Sequence, residues 1–530
     1  MPKKEMLMIA SHEPLLDPRL DWVAQTASSL LRVNVLGFES LARPEPPYAL
    51  VNSYTVMRIG NKRFRPLFMF LFCARLIFTP TSEQPIQAAG ELVLKTLAAF
   101  LLMVPMSIAA LGFVAYWLLG YLNPLRWARF GCRKTMSPEQ YVRTRDAWRA
   151  WAVDVQERYW RPTAKSLARR FPRVASLANR FMHFVKRVRE FQWYIGHVLK
   201  TTSSLIEVAT QTRPPAIIYC NDLDTLLAGV LLKKHFACAL VYDAHEFWAC
   251  MNAEFYWWER MFWLQFERTL APHTDAAYTV NHLLAAEMQR MIGVPYGALP
   301  NCEPIRDKQP EFTPRFLDAA PTVLSVANAC VPTRMRFLFQ GVFSPGRGIE
   351  ELIRAWAEVD HSRAVLLLRG PDGEFKDRCI DLATDLQLLG ATIEFLAPVR
   401  ESELVGAAGE ADVGVIPYAP YCLNSRLACP NKTSQYMQAG LAILTNNLDY
   451  VREIVEEFEC GLIYDSARPE TVVAAVNRFL NEPELLDRFS KNAQAKAREV
   501  FNWNVQSLPL VRMFEELTDP GEVKSKRSAA

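Results

Sequence analysis

The chain has 530 residues, too many for one ordinary domain and enough for two or three. Half of its residues are hydrophobic and 22% are charged, which excludes an intrinsically disordered protein and implies sizeable cores. The formal net charge of +4 is unevenly spread: 17 Lys/Arg against 4 Asp/Glu between Arg126 and Arg189 give that segment +13, leaving −9 elsewhere.

The first expected strand, Met6 to Ala10, comes almost at once, with no secretory-signal pattern before it. The 11 cysteines are scattered, without a Cys-x-x-Cys or a His/Cys cluster of zinc-like spacing, so free thiols in a reducing compartment are expected. Both observations point to the cytoplasm. Asp17-Pro18-Arg19 then precedes an amphipathic helix, Trp22 to Leu31, and a strand, Val33 to Leu36.

An apolar run from Phe64 to Phe78 is broken by Arg75, and a longer one, Thr96 to Leu122, holds 27 residues without a charge. Length and hydropathy permit a membrane span. A single crossing, however, would separate strand Met6–Ala10 from strand Ala216–Tyr219, which belong to one sheet. The expectation is an insertion at 60–195 that dips into one leaflet, a hydrophobic helix buried in protein being the alternative. The basic segment that follows, with Trp127, Trp148, Trp151, Trp160 and Trp193, suits anionic headgroups better than nucleic acid, because it directly follows the apolar run.

After the insertion comes Ile217-Ile218-Tyr219-Cys220, and Asn221-Asp222-Leu223-Asp224-Thr225 opens a helix. Asp222 and Asp224 could hold a metal, but at a helix start capping is the expected role. Strand Leu240–Tyr242 leads into Asp243-Ala244-His245-Glu246, followed by an aromatic-rich stretch from Phe247 through Trp263. The aromatics exceed what a core helix requires and could line an acceptor groove or meet a membrane. Ligands of open α/β sheets bind beyond the carboxyl ends of strands, where these polar groups lie.

The second half is more explicit. Phe339 to Gly348 reads as a short strand, a glycine turn and the first turn of an amphipathic helix. Pro430 to Gly440 places Asn431, Lys432, Thr433 and Ser434 at another helix start, before strand Leu441–Leu444. A helix N-terminus carries unpaired N–H groups and about half a positive charge, so each start is an anion site. Two of them, one with Arg347 and one with Lys432, suit a diphosphate; another phosphate ligand on a Rossmann-like half is the alternative.

From Arg336 to about Val505 the chain resembles the nucleotide-sugar domain of the GT-B glycosyltransferases, in particular the family-4 retaining enzymes. The resemblance rests on the Gly341 turn, Arg347-Gly348, strand Ala364–Arg369 ending at Gly370-Pro371, and Ala411-Asp412-Val413-Gly414 before Pro417-Tyr418. It continues through Pro430-Asn431-Lys432, Ala439-Gly440-Leu441, Glu453-Ile454-Val455 and Gly461 to Asp465. It implies an α/β protein of two Rossmann-like doubly wound domains facing across a cleft. The boundaries are 1–305 for the acceptor-side domain with its 60–195 apolar and basic helical insertion, 306–335 for a linker, 336–505 for the donor domain, 506–518 for a helix and 519–530 for a tail.

The implied activity is transfer of a sugar from a nucleoside diphosphate sugar, with retention of configuration and neither metal nor other cofactor. The acceptor is expected to be lipid-linked or a saccharide, on the cytoplasmic face of the plasma membrane, in polysaccharide assembly. A soluble enzyme with a small acceptor, or a non-catalytic nucleotide-sugar-binding homologue, are the alternatives. By the same resemblance His245, Arg347 and Lys432 are catalytic. Gly341, Arg347, Gly348, Asn431, Lys432, Thr433, Ser434 and Gln435 bind the donor, Gln435 through the ribose, while Arg19 and Glu246 lie on the acceptor side. The chain departs from the family at Val342, where many relatives carry arginine, and at Leu427 and Gln435, where they carry glutamates.

Overall fold

The computed structural model describes residues 3–40, 45–60, 62, 63, 65, 68, 69, 172–305 and 334–519. Most of the expected 60–195 insertion, including Thr96–Leu122 and four of its five tryptophans, lies outside the described residues. So do nearly all of the 306–335 linker and the 519–530 tail. Among the described residues no helix is long and apolar enough to cross a membrane. The chain divides into two compact units: Met1–Leu76 with Val198–Ala530, and Ile77–His197. In the smaller unit the described residues, 172–197, are helical.

The larger unit holds two sheets. The first contains β1 (Glu5–Ile9), β2 (Arg32–Phe38), β3 (Tyr48–Val51), β4 (Tyr54–Ile59), β5 (Ile217–Asn221), β6 (Ala239–Ala244), β7 (Ala276–Thr279) and β8 (Gly297–Ala298), in the order β3-β4-β2-β1-β5-β6-β7-β8. Every neighbouring pair is parallel except the β3–β4 hairpin at the edge. The second sheet is wholly parallel: β9 (Met335–Gln340), β10 (Ala364–Arg369), β11 (Ile393–Leu396), β12 (Val413–Ile416), β13 (Ala442–Asn446) and β14 (Gly461–Tyr464), ordered β11-β10-β9-β12-β13-β14. Parallel sheets are covered on both faces, which is why β10 reads Ala-Val-Leu-Leu-Leu-Arg with every residue buried.

Each sheet reverses direction next to its first strand, β1/β5 in one and β9/β12 in the other, and such switch points are where open α/β sheets bind ligands. The β9–β12 ladder is short, pairing only Val413 with Phe337 and Gly414 with Leu338. Beyond it the Tyr436 hydroxyl takes over, accepting the Gln340 N–H at 2.9 Å and reaching the Val415 carbonyl at 3.5 Å. Gly414 makes room for this wedge, since a Cβ there would lie 2.3 Å from the Tyr436 ring. Gly414→Ala is therefore expected to destabilise by about 1–3 kcal/mol, the scale of overpacking a core. An unchanged denaturation midpoint would show that the ring yields freely.

The first helix runs Pro18–Ser28, earlier than the Trp22–Leu31 expected, because the Asp17 side chain caps it at the Leu20 N–H and Pro18 sits at its first turn. At the other end the chain leaves the second sheet after helix Pro483–Glu499 and returns to the first. The Trp503 indole donates to Trp22 O at 3.2 Å and Thr26 Oγ1 at 2.9 Å, and helix Leu508–Thr518 sets Phe514 6.3 Å from the Tyr219 ring.

Candidate active site

A cavity of ≈310 Å³ opens at the β9/β12 switch point and is walled on the other side by the first half, through His245, Glu246, Val280 and Asn301. Two cations reach it. Lys432, 6% exposed, sits in the first turn of helix Asn431–Gln438 and bonds the Tyr418 hydroxyl at 2.6 Å. Its Nζ lies 4.2 Å from the Tyr418 ring centroid and 5.1 Å from that of Phe339. Arg347 stacks on the same tyrosine, with Cζ 4.1 Å from the ring centroid.

Neither cation has a carboxylate within 4.0 Å among the described residues. Burial and the neighbouring guanidinium lower the Lys432 pKa despite the help of Tyr418. Burial opposes ionisation of Tyr418, yet Lys432 and Arg347 bring its phenol below the usual value. A buried cation without a counter-charge is costly, and an anion in the cavity would relieve that cost.

Two glycines permit this arrangement. Gly341 has φ +142°, and a Cβ there would come within 3.3 Å of Lys432 Nζ. Gly348 has φ +69°, and a Cβ there would lie 1.7 Å from the Pro417 carbonyl oxygen, so only glycine lets the turn carrying Arg347 press against the end of β12. Ala419 N–H closes the contact on Gly346 O at 3.1 Å.

Opposite the cations, at the ends of β5 and β6, lies an ionic cluster. His245 Nε2 is 3.4 Å from Asp243, and its Nδ1 is 3.8 Å from Asp222 and 3.9 Å from Asp17. Burial disfavours the imidazolium, but Asp222, Asp243 and Asp17 outweigh it and lift His245 to about 9. Burial also pushes Asp222 up to about 7, against the pull of His245. A histidine raised in the folded state contributes stability that is complete below its ordinary 6.5 and is lost as pH rises through about 9. The denaturation midpoint of the wild type should fall between pH 7 and 9, and more steeply than that of His245→Gln. Equal slopes would show that the proton is not held there.

Of the residues singled out from the sequence, His245, Glu246, Gly341, Arg347, Asn431, Lys432 and Gln435 share the cavity wall; Arg19, Gly348, Thr433 and Ser434 do not. Arg19, expected on the acceptor side, is buried in a two-pronged pair with Asp243 at 2.6 and 2.9 Å, and also bonds Leu299 O and Asn301. Burial opposes the Asp243 charge, but Arg19 and His245 hold its carboxyl well below the usual range. Thr433 N–H, expected to hold phosphate, is taken by Pro430 O at 2.9 Å, and the Ser434 hydroxyl accepts from Glu303 N–H at 2.8 Å.

Asp222 does not cap its helix through the side chain as expected. The carboxylate instead accepts the N–H groups of His245 at 2.9 Å and Glu246 at 3.3 Å, shaping the His245 loop. Gln435, expected to face ribose, donates to Glu303 Oε1 at 2.9 Å and accepts from Gln340 at 3.2 Å. Val342 is 61% exposed. The expected aromatic excess is mostly core: Phe247, Trp248, Phe255 and Trp263 are buried, whereas Trp257 is exposed.

Sequence reading gave no role to Tyr418, Gln340, Glu303 or Asn424. Tyr418 was visible as part of Pro417-Tyr418; the other three carry no local signal. Asn424 joins the halves by accepting Phe247 N–H at 2.9 Å and donating to the Glu246 carboxylate.

Two sheets facing across a cavity that bears cations define the GT-B glycosyltransferase fold, and solved structures share it. Sucrose-phosphate synthase from Thermosynechococcus elongatus superposes with a TM-score of 0.58 at 14% identity, covering 98% of this chain and 100% of that one. The UDP-forming alpha,alpha-trehalose-phosphate synthase from Burkholderia xenovorans does so at 0.54 and 9%, covering 97% and 99%.

Residues 327–496 match the family Glycosyl transferases group 1. An uncharacterized glycosyltransferase of Methanocaldococcus jannaschii is 26% identical over 181 residues, 34% of this chain. That match and one to a Bacillus subtilis glycosyltransferase span less than half of the curated relatives' lengths, 44% and 46%.

Proposed function

We propose that this protein transfers a sugar from a nucleoside diphosphate sugar to an acceptor held at a membrane surface, with retention of configuration and without a metal. The observation that carries the reading is the pair Lys432 and Arg347, sharing Tyr418 at the switch-point cavity with no carboxylate within 4.0 Å of either among the described residues. Placed at the leaving diphosphate, they stabilise negative charge as the sugar bond breaks, and a preorganised charge inside a protein does this better than water does. His245 lines the cavity from the other half and orients the transferring sugar.

The metal-free reading is supported by Asp222, whose carboxylate is engaged by two backbone N–H groups. Membrane attachment is supported by the uncharged Thr96–Leu122 run followed by the +13 segment, each basic residue near an anionic surface contributing about 1 kcal/mol. The proposed location is the cytoplasmic face of the plasma membrane, with a lipid-linked or polysaccharide acceptor.

Thermal denaturation of the full chain with ADP-, GDP- and UDP-sugars tests the donor site. A true donor at a hundredfold its Kd adds about 2.7 kcal/mol, and sugar release with chelator present is expected to continue. Stabilisation by none of them would sink the proposal. Flotation with phosphatidylglycerol vesicles tests the membrane part: binding that survives high salt and yields to detergent is expected, and protein left free of the vesicles at low salt would refute it.

A further inference from the structure

Helix Trp257–Leu270, which joins β6 to β7, sorts its charges by face. Both of its carboxylates are buried. Glu259 accepts Tyr256 N–H at 2.9 Å in the capping turn, and Glu267 accepts the hydroxyls of Tyr242 at 3.0 Å and Tyr296 at 3.2 Å. Both of its arginines, Arg260 and Arg268, are exposed. So are two large apolar side chains, Trp257 at 75% and Met261 at 50%. At about 3.6 residues per turn, Trp257, Met261 and Arg268 fall on one face and Arg260 borders it.

The core is filled by the inward aromatics of this helix: the Trp263 ring lies 5.0 Å from that of Trp248 and 6.0 Å from that of Phe266. Trp257 enters no ring contact among the described residues. Arg260 donates to Ala253 O at 3.3 Å and Arg268 to Met291 O at 2.6 Å. Neither has a carboxylate within 4.0 Å among the described residues. A tryptophan, a methionine and two guanidiniums without a counter-charge therefore share one outward surface.

We propose that this surface docks on an anionic lipid bilayer, Trp257 and Met261 entering the interface while Arg260 and Arg268 meet phosphodiester headgroups. It rests on the membrane reading above and adds a contact on the folded first half, apart from residues 60–195. The charge pattern selects the partner, because aromatic and apolar groups interleaved with cations suit the headgroup layer. A second copy presenting the same face would set arginine against arginine. Since β6 and β7 are parallel, the helix between them runs back, and Trp257 at its start lies toward the carboxyl edge where the cavity opens. The segment before it carries His245 and Glu246 in the cavity wall, so the bilayer contact falls on the acceptor side.

Hydroxyl-radical footprinting of the full chain, read residue by residue by mass spectrometry, tests this. With phosphatidylglycerol vesicles, oxidation of Trp257 and Met261 should largely disappear. Tyr48, 69% exposed on β3 at the far edge of the same sheet, should keep its oxidation. In the double variant Arg260→Gln/Arg268→Gln the lipid needed for half protection should rise about fivefold for each arginine removed. Unchanged oxidation of Trp257 and Met261 on vesicles that carry the chain overturns the inference and leaves the membrane reading standing. Equal protection by phosphatidylcholine vesicles overturns it too, as does protection without vesicles that grows with protein concentration, the mark of a second copy. A chain that binds no phosphatidylglycerol vesicle sinks both readings.

Discussion

Lys432→Ala is expected to lower turnover by roughly 10²–10³, the scale of losing one preorganised charge stabiliser, without lowering stability. Stability is kept because of where the lysine is buried. Lys432 is 6% exposed, has no carboxylate within 4.0 Å among the described residues, and has its pKa lowered chiefly by burial. Removing an uncompensated buried charge relieves a desolvation cost, so the denaturation midpoint of the free variant should hold or rise. Stabilisation by nucleoside diphosphate should be lost at the same time. Arg347→Ala should lower turnover and stabilisation by nucleoside diphosphate in the same way, since Arg347 shares Tyr418 with the lysine. Wild-type kinetics in both variants would place the diphosphate elsewhere.

Arg19→Ala should instead unfold the first half, costing about 3–5 kcal/mol, because it takes the two-pronged partner from the fully buried Asp243 carboxylate and leaves it only Tyr219 and His245. Arg19→Lys should not rescue it. The guanidinium bonds both Asp243 oxygens, Leu299 O and Asn301 at once, and an ammonium cannot reproduce that fork. Because the Asp243 pKa is depressed in the folded state, this contribution is present above the ordinary carboxylate range and is lost only as pH falls below it. Urea titration decides the matter. A variant as stable as the wild type but slow in turnover would return Arg19 to the acceptor side of the site.

The two predictions separate residues that look alike in the sequence. Arg19 and Lys432 are both cations near a helix start after a strand. Lys432 reaches the cavity because Gly341 and Gly414 clear the space around it and around Tyr436. Arg19 is drawn inward by an aspartate 224 residues away.

What the sequence alone determined was local and periodic. The apolar runs placed β1, β5, β6 and β9, and the glycine turn with Arg347 and the Pro430-Asn431-Lys432 start marked the cation-bearing wall. These signals are readable because strand burial and positive-φ turns constrain residues within a few positions of one another. Pairings across the chain were decided by tertiary structure: Arg19 with Asp243, Asp222 with the His245 loop, Asn424 with Glu246, and Glu303 with Gln435 and Gln340. Each of those partners is an ordinary polar residue in its own stretch of sequence, and only burial beside a distant group, where an unmatched donor or acceptor is costly, gives it a defined role.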